Sequence, residues 1–187
     1  NPNHTNANYN LGISFYALRN LKEAKSYLEK TIKIQNNYAL AFHSLGNVHV
    51  DLKELKEAKN CYEKAIDINP NLVAAHNNLG ITFRDLNDLE SAISCYQKAI
   101  KIRSNNPSAH HNLGQAYKEV GEFDKSIKSH QMAIKYEPEN FIHYQFLSEL
   151  KKDILDSKLK NKIKKIIQNN KSTQINLAYG NFLLAKY

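Results

Sequence analysis

The chain has 187 residues, a net charge of +8 and only ten glycines and prolines together. A chain of this length buries roughly 70% of its unfolded surface, which makes a disulfide or metal staple unnecessary, and few turn residues disfavour β-sandwiches and favour helices. The longest apolar run, residues 38–42, is far shorter than the ~18 residues of a membrane span.

The basic charge is concentrated near the end of the chain. Residues 1–140 carry 17 Lys and Arg against 15 Asp and Glu, whereas residues 141–187 carry 9 against 3. Because the main body is nearly neutral, we expect no nucleic acid partner. The polar start lacks an initiator Met and a signal peptide, and the chain ends three residues after the apolar run 182–184. We therefore expect a segment of a longer protein.

A Leu-Gly pair recurs every 34 residues, at positions 11–12, 45–46, 79–80 and 113–114. A constant period over four copies predicts a stack of repeated units, each too small to bury its own apolar face. After a leader at 1–4, the predicted copies are 5–38, 39–72, 73–106 and 107–140.

Each copy reads as two amphipathic helices, because apolar residues recur at three- and four-residue spacing. Small residues at positions 8 and 20 of a copy let the helices approach closely, and an aromatic at 11 or 24 fills the adjacent space. Asn87 and Gly121 tolerate the left-handed conformation at the end of a first helix. Pro70 and Pro138 are expected to stop the second helices.

The period is expected to fail after Glu139, and residues 141–172 are predicted to form Lys-rich capping and linker helices. The first of these presents one apolar face, made of Phe141, Tyr144, Leu147 and Leu150. The second, at 154–167, alternates an isoleucine-rich side with lysines between Lys158 and Lys165.

Residues 173–187 are predicted to begin a further, truncated repeat-like helix. Asn169 to Ser172 break the preceding helix, and Thr173 is a candidate cap. Tyr179-Gly180 imitates the Leu-Gly pair but lies two residues short of two full periods after the fourth copy.

The pattern at 5–140 resembles the tetratricopeptide repeat (TPR), with Leu-Gly at positions 7–8, Ala at 20 and 27, aromatics at 11 and 24, and Pro at 32. It departs at position 4, which is never Trp, and in the first copy, which lacks Ala at 27 and Pro at 32. The resemblance implies an all-α, right-handed superhelical α-solenoid of stacked antiparallel helix pairs. In that fold the first helix of each pair lines a concave groove.

The resemblance also implies which positions face the groove: 2, 5, 6, 9, 12 and 13 of each copy. Position 6 reads Asn, Ser, Asn and Asn along the four copies. A carboxamide both donates and accepts, so such an asparagine ladder, similar to that of O-GlcNAc transferase, suits an extended peptide. The alternative is that these asparagines merely solvate a helix face. The candidate peptide-binding residues are Asn10, His43, Ser44, Asn47, Asn77, Asn78, His111, Asn112 and Gln115.

Other ligands are disfavoured by the residues present. The cations with which some TPR proteins hold a chaperone's terminal carboxylate are absent from the matching positions. Adjacent His110 and His111 point about 100° apart on a helix, and no i,i+4 His pair or Cys-x-x-Cys motif occurs, so no metal or cofactor is predicted. No phosphate-binding or nucleophile motif occurs either, and we do not expect this segment to be an enzyme.

Cys61 and Cys95 lie one period apart, at equivalent positions of stacked repeats. Stacked helices are separated by on the order of 10 Å, which exceeds the ~7 Å Cα separation that a disulfide tolerates. Both are therefore expected to be reduced, in a cytoplasmic environment.

The function predicted from sequence is a protein-interaction scaffold that binds a peptide or partner segment in its groove. An alternative is an accessory region of a larger transferase, since the chain is similar to bacterial TPR–sulfotransferase proteins as well as to O-GlcNAc transferase. Further possibilities are that Lys158–Lys165 binds an anionic membrane or nucleic acid, and that repeat ends self-associate.

Overall fold

A computed structural model describes residues 4–150, 157–168 and 174–186 of the chain. These ranges form eleven α-helices and contain no β-strand, which confirms the predicted all-α solenoid of helix pairs. The chain divides into two compact units, residues 1–103 and residues 104–187.

The first unit consists of three antiparallel helix pairs. Their bounds are α1 (Thr5–Ala17) with α2 (Leu21–Ile34), α3 (Ala39–Asp51) with α4 (Leu55–Ile68), and α5 (Val73–Asp85) with α6 (Leu89–Ile102). Helix α2 packs against α3 and α4 packs against α5, and α3 also contacts both α1 and α5. The helices α1, α3 and α5 therefore lie side by side and form what we call the first-helix face.

The Leu-Gly pair recurs because the two helices of a pair touch at the glycine. A Cβ atom added at Gly46 would lie 2.6 Å from the ring of Tyr62, and one added at Gly80 would lie 2.6 Å from the ring of Tyr96. Both tyrosine rings are buried. No side chain fits between glycine and ring without displacing one helix, since interiors are already close-packed.

The turn after each first helix contains one left-handed residue. In the first three copies these are Arg19, Lys53 and Asn87, with φ of 61°, 64° and 63°, and in the fourth it is Gly121, with φ of 81°. Asn and Gly were expected there, but Arg and Lys were not, because a left-handed residue with a Cβ costs roughly 1–2 kcal/mol. The tertiary arrangement of the helix pair therefore imposes this conformation.

The second helices end at the same position with or without proline. Helix α4 ends at Ile68, two residues before Pro70, and α2 and α6 end at Ile34 and Ile102 in copies that lack proline there. In all three the following residue is extended. Proline at position 32 is therefore not required for these helices to stop where they do.

The second unit contains one helix pair followed by three more helices. These are α7 (Pro107–Glu119), α8 (Phe123–Tyr136), α9 (Phe141–Leu150), α10 (Ser157–Gln168) and α11 (Gln174–Lys186). Helix α9 packs on α8, and α11 packs on both α9 and α10. Gly180 of α11 again marks a close approach, because an added Cβ would lie 2.7 Å from the Phe141 ring and 2.9 Å from Ile167.

The helix spacing continues beyond Glu139, where the sequence pattern ends. Helix α9 begins 34 residues after α7, and α10 begins 34 residues after α8. The hydroxyl of Tyr144 donates to the Pro138 carbonyl over 3.0 Å, as the ring of His76 hydrogen-bonds the Pro70 carbonyl at 2.9 Å. The 34-residue spacing of helix starts thus extends through two further helices.

The sequence pattern does not reveal that the 34-residue spacing continues, because α10 buries different positions from the earlier second helices. Its residues at positions 20 and 24 are Lys160 and Lys164 instead of a small residue and an aromatic. The helix buries Ile163 completely and packs Ile166 and Ile167 against the same cluster, while Lys164 is exposed.

Some predicted features lie outside the described residues. These are positions 1–3 of the leader, the start of the amphipathic stretch at 154–156, the break at 169–172 and the cap at Thr173. In the ranges that are described, no helix combines the length and apolar composition that crossing a membrane requires.

Candidate functional site

Three predicted binding residues of the first unit form one hydrogen-bonded group. The side-chain amide of Asn78 on α5 donates to Asn47 Oδ1 over 2.9 Å and to His43 Nε2 over 3.1 Å. Asn47 Oδ1 also accepts from the hydroxyl of Tyr62 on α4, over 2.7 Å. This group joins α3, α4 and α5 and holds both carboxamides in fixed orientations.

The hydrogen bonds determine which polar atoms are left for a ligand. Both side-chain N–H groups of Asn78 are committed, so Asn78 offers its carbonyl oxygen, whereas Asn47 offers its Nδ2 group. His43 accepts at Nε2, and burial lowers its pKa, so its ring is neutral at pH 7 and carries its proton on Nδ1. The site therefore presents fixed amide dipoles instead of charges at these three residues.

A pocket of about 280 Å³ opens on the first-helix face beside this group. It is lined by Tyr16, Asn47, Val50, Asp51, Tyr62, Asn78 and Ile81. The phenol of Tyr62 has a raised pKa because of burial. Burial and a hydrogen bond to Asp51 likewise raise the pKa of Tyr16, so both phenols are neutral at pH 7.

Three residues that line the pocket, Tyr16, Asp51 and Tyr62, are not among the binding residues predicted from the sequence. Tyr16 and Asp51 lie at positions 12 and 13 of their copies, which the TPR resemblance assigns to the groove. Both could therefore have been predicted as binding residues from the sequence. Tyr62 belongs to a second helix and reaches the pocket only because its ring crosses the glycine at position 8 of the preceding helix.

The remaining predicted residues of the first unit lie apart from the pocket lining. Ser44 is buried, and its hydroxyl lies 3.4 Å from the hydroxyl of Tyr9. Asn10 is exposed and Asn77 is half-buried. The position-6 residues of this unit therefore differ in accessibility, and only Asn78 lines the pocket.

The predicted residues of the second unit include two members of a chain of polar side chains. Gln115 Nε2 lies 2.8 Å from His111 Nε2, His111 Nδ1 lies 3.1 Å from His143 Nδ1, and His143 Nε2 lies 3.1 Å from a carboxylate oxygen of Glu137. An amide nitrogen only donates, so His111 carries its proton on Nδ1 and His143 on Nε2. Asn112 is half-buried on the same helix.

His130 is buried beside this chain and occupies the place that Tyr62 and Tyr96 take in earlier copies. A Cβ at Gly114 would lie 2.7 Å from its Nε2 atom, and its ring stacks on Phe146 with centroids 5.5 Å apart. Both ring nitrogens are buried with no hydrogen-bond partner in the described part of the chain. Burial, followed by the nearby His111 and His143 and by Lys118, lowers the pKa of His130 to about 3.

The described residues contain no group of three or more His, Cys, Asp or Glu side chains arranged to hold a metal ion. His76 and His110 instead hydrogen-bond backbone carbonyls of the preceding loops. Cys61 and Cys95 are free thiols, and burial raises the pKa of each to about 11. Cys95 lines a second pocket, of about 320 Å³, among α4, α5 and α6, but a thiol with this pKa is a poor nucleophile.

Known families match most of the chain. A family described as TPR repeat matches residues 46–83 and 82–121. Two families described as Tetratricopeptide repeat match residues 109–140 and 5–38. No curated protein sequence matches the chain.

Solved structures of similar fold are TPR proteins of low sequence identity. MamA 41-end from Desulfovibrio magneticus RS-1 is 19% identical, with a TM-score of 0.74 over 90% of this chain and 97% of that one. YrrB, a TPR protein with an unusual peptide-binding site, is 19% identical, with a TM-score of 0.70 over 95% and 92%. A thermophilic TPR protein in Thermus thermophilus is 20% identical, with a TM-score of 0.69 over 97% and 100%. From the family matches and the repeat architecture together, the chain belongs to the tetratricopeptide repeat family.

Proposed function

We propose that this chain is a protein-interaction module that binds an extended peptide segment of a partner on its first-helix face. The observation that carries the proposal is the pocket beside Asn47 and Asn78, whose carboxamides are held in place by Tyr62 and His43. A peptide-binding site in a protein of the same fold, YrrB, supports it.

The two carboxamides suit the backbone of an extended peptide. Asn47 donates through Nδ2 to a peptide carbonyl, and the carbonyl oxygen of Asn78 accepts from a peptide N–H. The hydrogen bonds within the protein orient both groups before a ligand arrives, which lowers the conformational entropy lost on binding. The proposed contacts differ from the predicted ladder, because each asparagine either donates to the peptide backbone or accepts from it, instead of doing both.

The second unit carries its own candidate set: His111, Asn112 and Gln115. The contact between Gln115 Nε2 and His111 fixes the orientation of the Gln115 carboxamide, and we assign this carboxamide to the backbone of the ligand. Ser44, which is buried, is left out of the proposed contacts, and Asn10 and Asn77 are assigned to flanking positions.

The test uses peptides selected from a random dodecapeptide display library on the whole chain. We expect Ile81→Phe, which fills the pocket without changing the polar group, and Asn47→Ala to weaken a selected peptide at least roughly tenfold, as for central interface residues. Asn60→Ala, at an exposed position of the second helix α4, is the matched control and should bind normally. Equal affinity in all four proteins would contradict the proposal.

The transferase association, the cytoplasmic location and end-to-end self-association remain predictions from the sequence. Sequencing the parent gene beyond the codon for Tyr187 tests the first. Sedimentation of the whole chain over a range of concentrations tests self-association.

A further inference from the structure

One residue that lines the pocket on the first-helix face takes part in an ion pair. Arg19 Nη1 lies 2.5 Å from a carboxylate oxygen of Asp51, which itself lines the pocket. The Arg19 side chain is 74% exposed, whereas that of Asp51 is 28% exposed. The carboxylate thus belongs to the pocket, and the guanidinium approaches it from solvent.

The pocket has an acidic character apart from Arg19. Asp51 is the last residue of α3, where the carbonyl end of the helix dipole adds partial negative charge. Helix α1 carries no charged residue, and His43 of α3 is kept neutral by burial. The acidic and basic residues of α5, Asp85 and Arg84, are adjacent and of opposite sign, 4.0 Å apart.

The contact between Arg19 and Asp51 is easily exchanged. An exposed ion pair contributes little, because water solvates both groups and a long side chain loses rotamer freedom to form it. Arg19 also occupies a left-handed backbone position, one that Asn87 and Gly121 fill in other copies without any cation. The fold of the turn therefore does not depend on the guanidinium.

The ring of Tyr16, which is half-buried and whose hydroxyl hydrogen-bonds Asp51, provides a second element of a cation site. Tyr16 lines the pocket with Asp51, and a cation over a tyrosine face is attracted by the ring quadrupole. A long aliphatic stem ending in a charge fits such a pocket, since Val50 and Ile81 supply apolar wall and the charged end reaches the carboxylate.

We propose that this pocket binds a lysine or arginine side chain of the partner peptide, whose charged group takes the place of Arg19 on Asp51. The inference rests on the proposed function and adds the class of side chain that the site selects. Arg19 then acts as an internal competitor that limits affinity for the cationic guest.

The test compares peptides selected by the same display library on the wild type and on two variants. We expect a lysine or arginine at one fixed position among wild-type peptides, and at least tenfold weaker binding when that residue is replaced by neutral citrulline or norleucine. Asp51→Asn should remove the preference, whereas Asp85→Asn, at the equivalent position of the next repeat, should retain it.

The sign of the effect at Arg19 is the most informative result. Arg19→Asn suits the left-handed turn and frees the carboxylate, so it should strengthen binding of the cationic peptide several-fold. Lys53→Asn, the same exchange in the next turn, should not. A merely structural ion pair predicts no gain in affinity from Arg19→Asn.

Two outcomes overturn the inference, and they differ in what they say about the proposed function. Peptides that lose affinity with Ile81→Phe but show no cationic preference and no gain with Arg19→Asn overturn the inference and leave the peptide-binding function standing. If no library peptide binds the wild type at all, both proposals are wrong.

Discussion

The side-chain nitrogen of Asn78 lies 2.9 Å from the side-chain oxygen of Asn47, which belongs to the preceding repeat. This contact gives an asparagine on the proposed binding surface a structural role as well. The same side chain also bonds His43 of that repeat. Binding and stability are therefore coupled at this position, and tests at Asn78 must measure both.

We predict that Asn78→Ala lowers the free energy of unfolding by about 1–3 kcal/mol, because it removes two hydrogen bonds and leaves a half-buried His43 nitrogen without its donor. Urea denaturation followed by circular dichroism measures the change. Asn60→Ala is the control and should change stability by less than about 0.5 kcal/mol. Indistinguishable unfolding curves for both variants would contradict the network.

We predict that Gly46→Ala destabilises the chain by about 1–3 kcal/mol, since the new Cβ would overlap the ring of Tyr62 and overpacking has costs of this size. In a Tyr62→Ala background the space is open. There the same change should be neutral or mildly stabilising, because alanine favours helix by about 1 kcal/mol over glycine. A double-mutant cycle of unfolding free energies gives the coupling, and additive effects would show that glycine and ring do not meet.

We predict that the chain loses stability as pH falls from about 6.5 towards 3. His130 has a pKa lowered to about 3 in the folded protein, against about 6.5 when unfolded. Between these values the unfolded state binds the extra proton, so unfolding is favoured by acid, with a slope of up to about 1.4 kcal/mol per pH unit from this residue. His111, His143 and Lys118 face it and oppose its protonation.

The other repeats suggest a control variant for this pH dependence. His130→Tyr installs the residue that the second and third copies place against their glycines, Tyr62 and Tyr96. It should make the slope shallower by about one proton between pH 6.5 and 4, measured from urea midpoints at several pH values. A slope equal to that of the wild type would assign the acid sensitivity to other groups.

We predict that Ile163→Ala costs about 2–5 kcal/mol in the second unit, because Ile163 is fully buried among Phe141, Tyr144 and Leu183 and the change leaves a cavity. Lys164→Ala, on the exposed side of the same helix, should change stability by less than about 0.5 kcal/mol. Thermal unfolding of both variants measures the contrast. Equal melting temperatures would mean that α10 does not pack as described.

The position of Ile163 also bears on the membrane alternative for the lysine-rich stretch. Ile163, Ile166 and Ile167 of α10 pack in the protein's own core, so these three side chains are not exposed for insertion into a lipid surface in the folded state. Membrane binding by α10 would then rest on electrostatic attraction between the exposed Lys162, Lys164 and Lys165 and anionic lipids, and salt screens this attraction.

The sequence by itself determined the repeat and its helices. A 34-residue Leu-Gly period requires a close helix contact at each glycine, and Gly46 against Tyr62 and Gly80 against Tyr96 show that contact. The groove positions taken from the TPR resemblance include Tyr16 and Asp51, which line the pocket. These features follow from the sequence because they depend on short-range spacing and on residue size.

Only the tertiary structure decided which polar atoms are available to a ligand and that the helix spacing continues beyond the fourth copy. The pairing of Asn78 with Asn47 joins residues 31 apart, and no local pattern predicts which of two asparagines donates. The register of α10 was hidden because lysines replace the small and aromatic residues of the motif, and the helix buries Ile163 on a shifted face instead. In both cases the outcome depends on the three-dimensional packing of neighbouring helices, which a one-dimensional spacing does not specify.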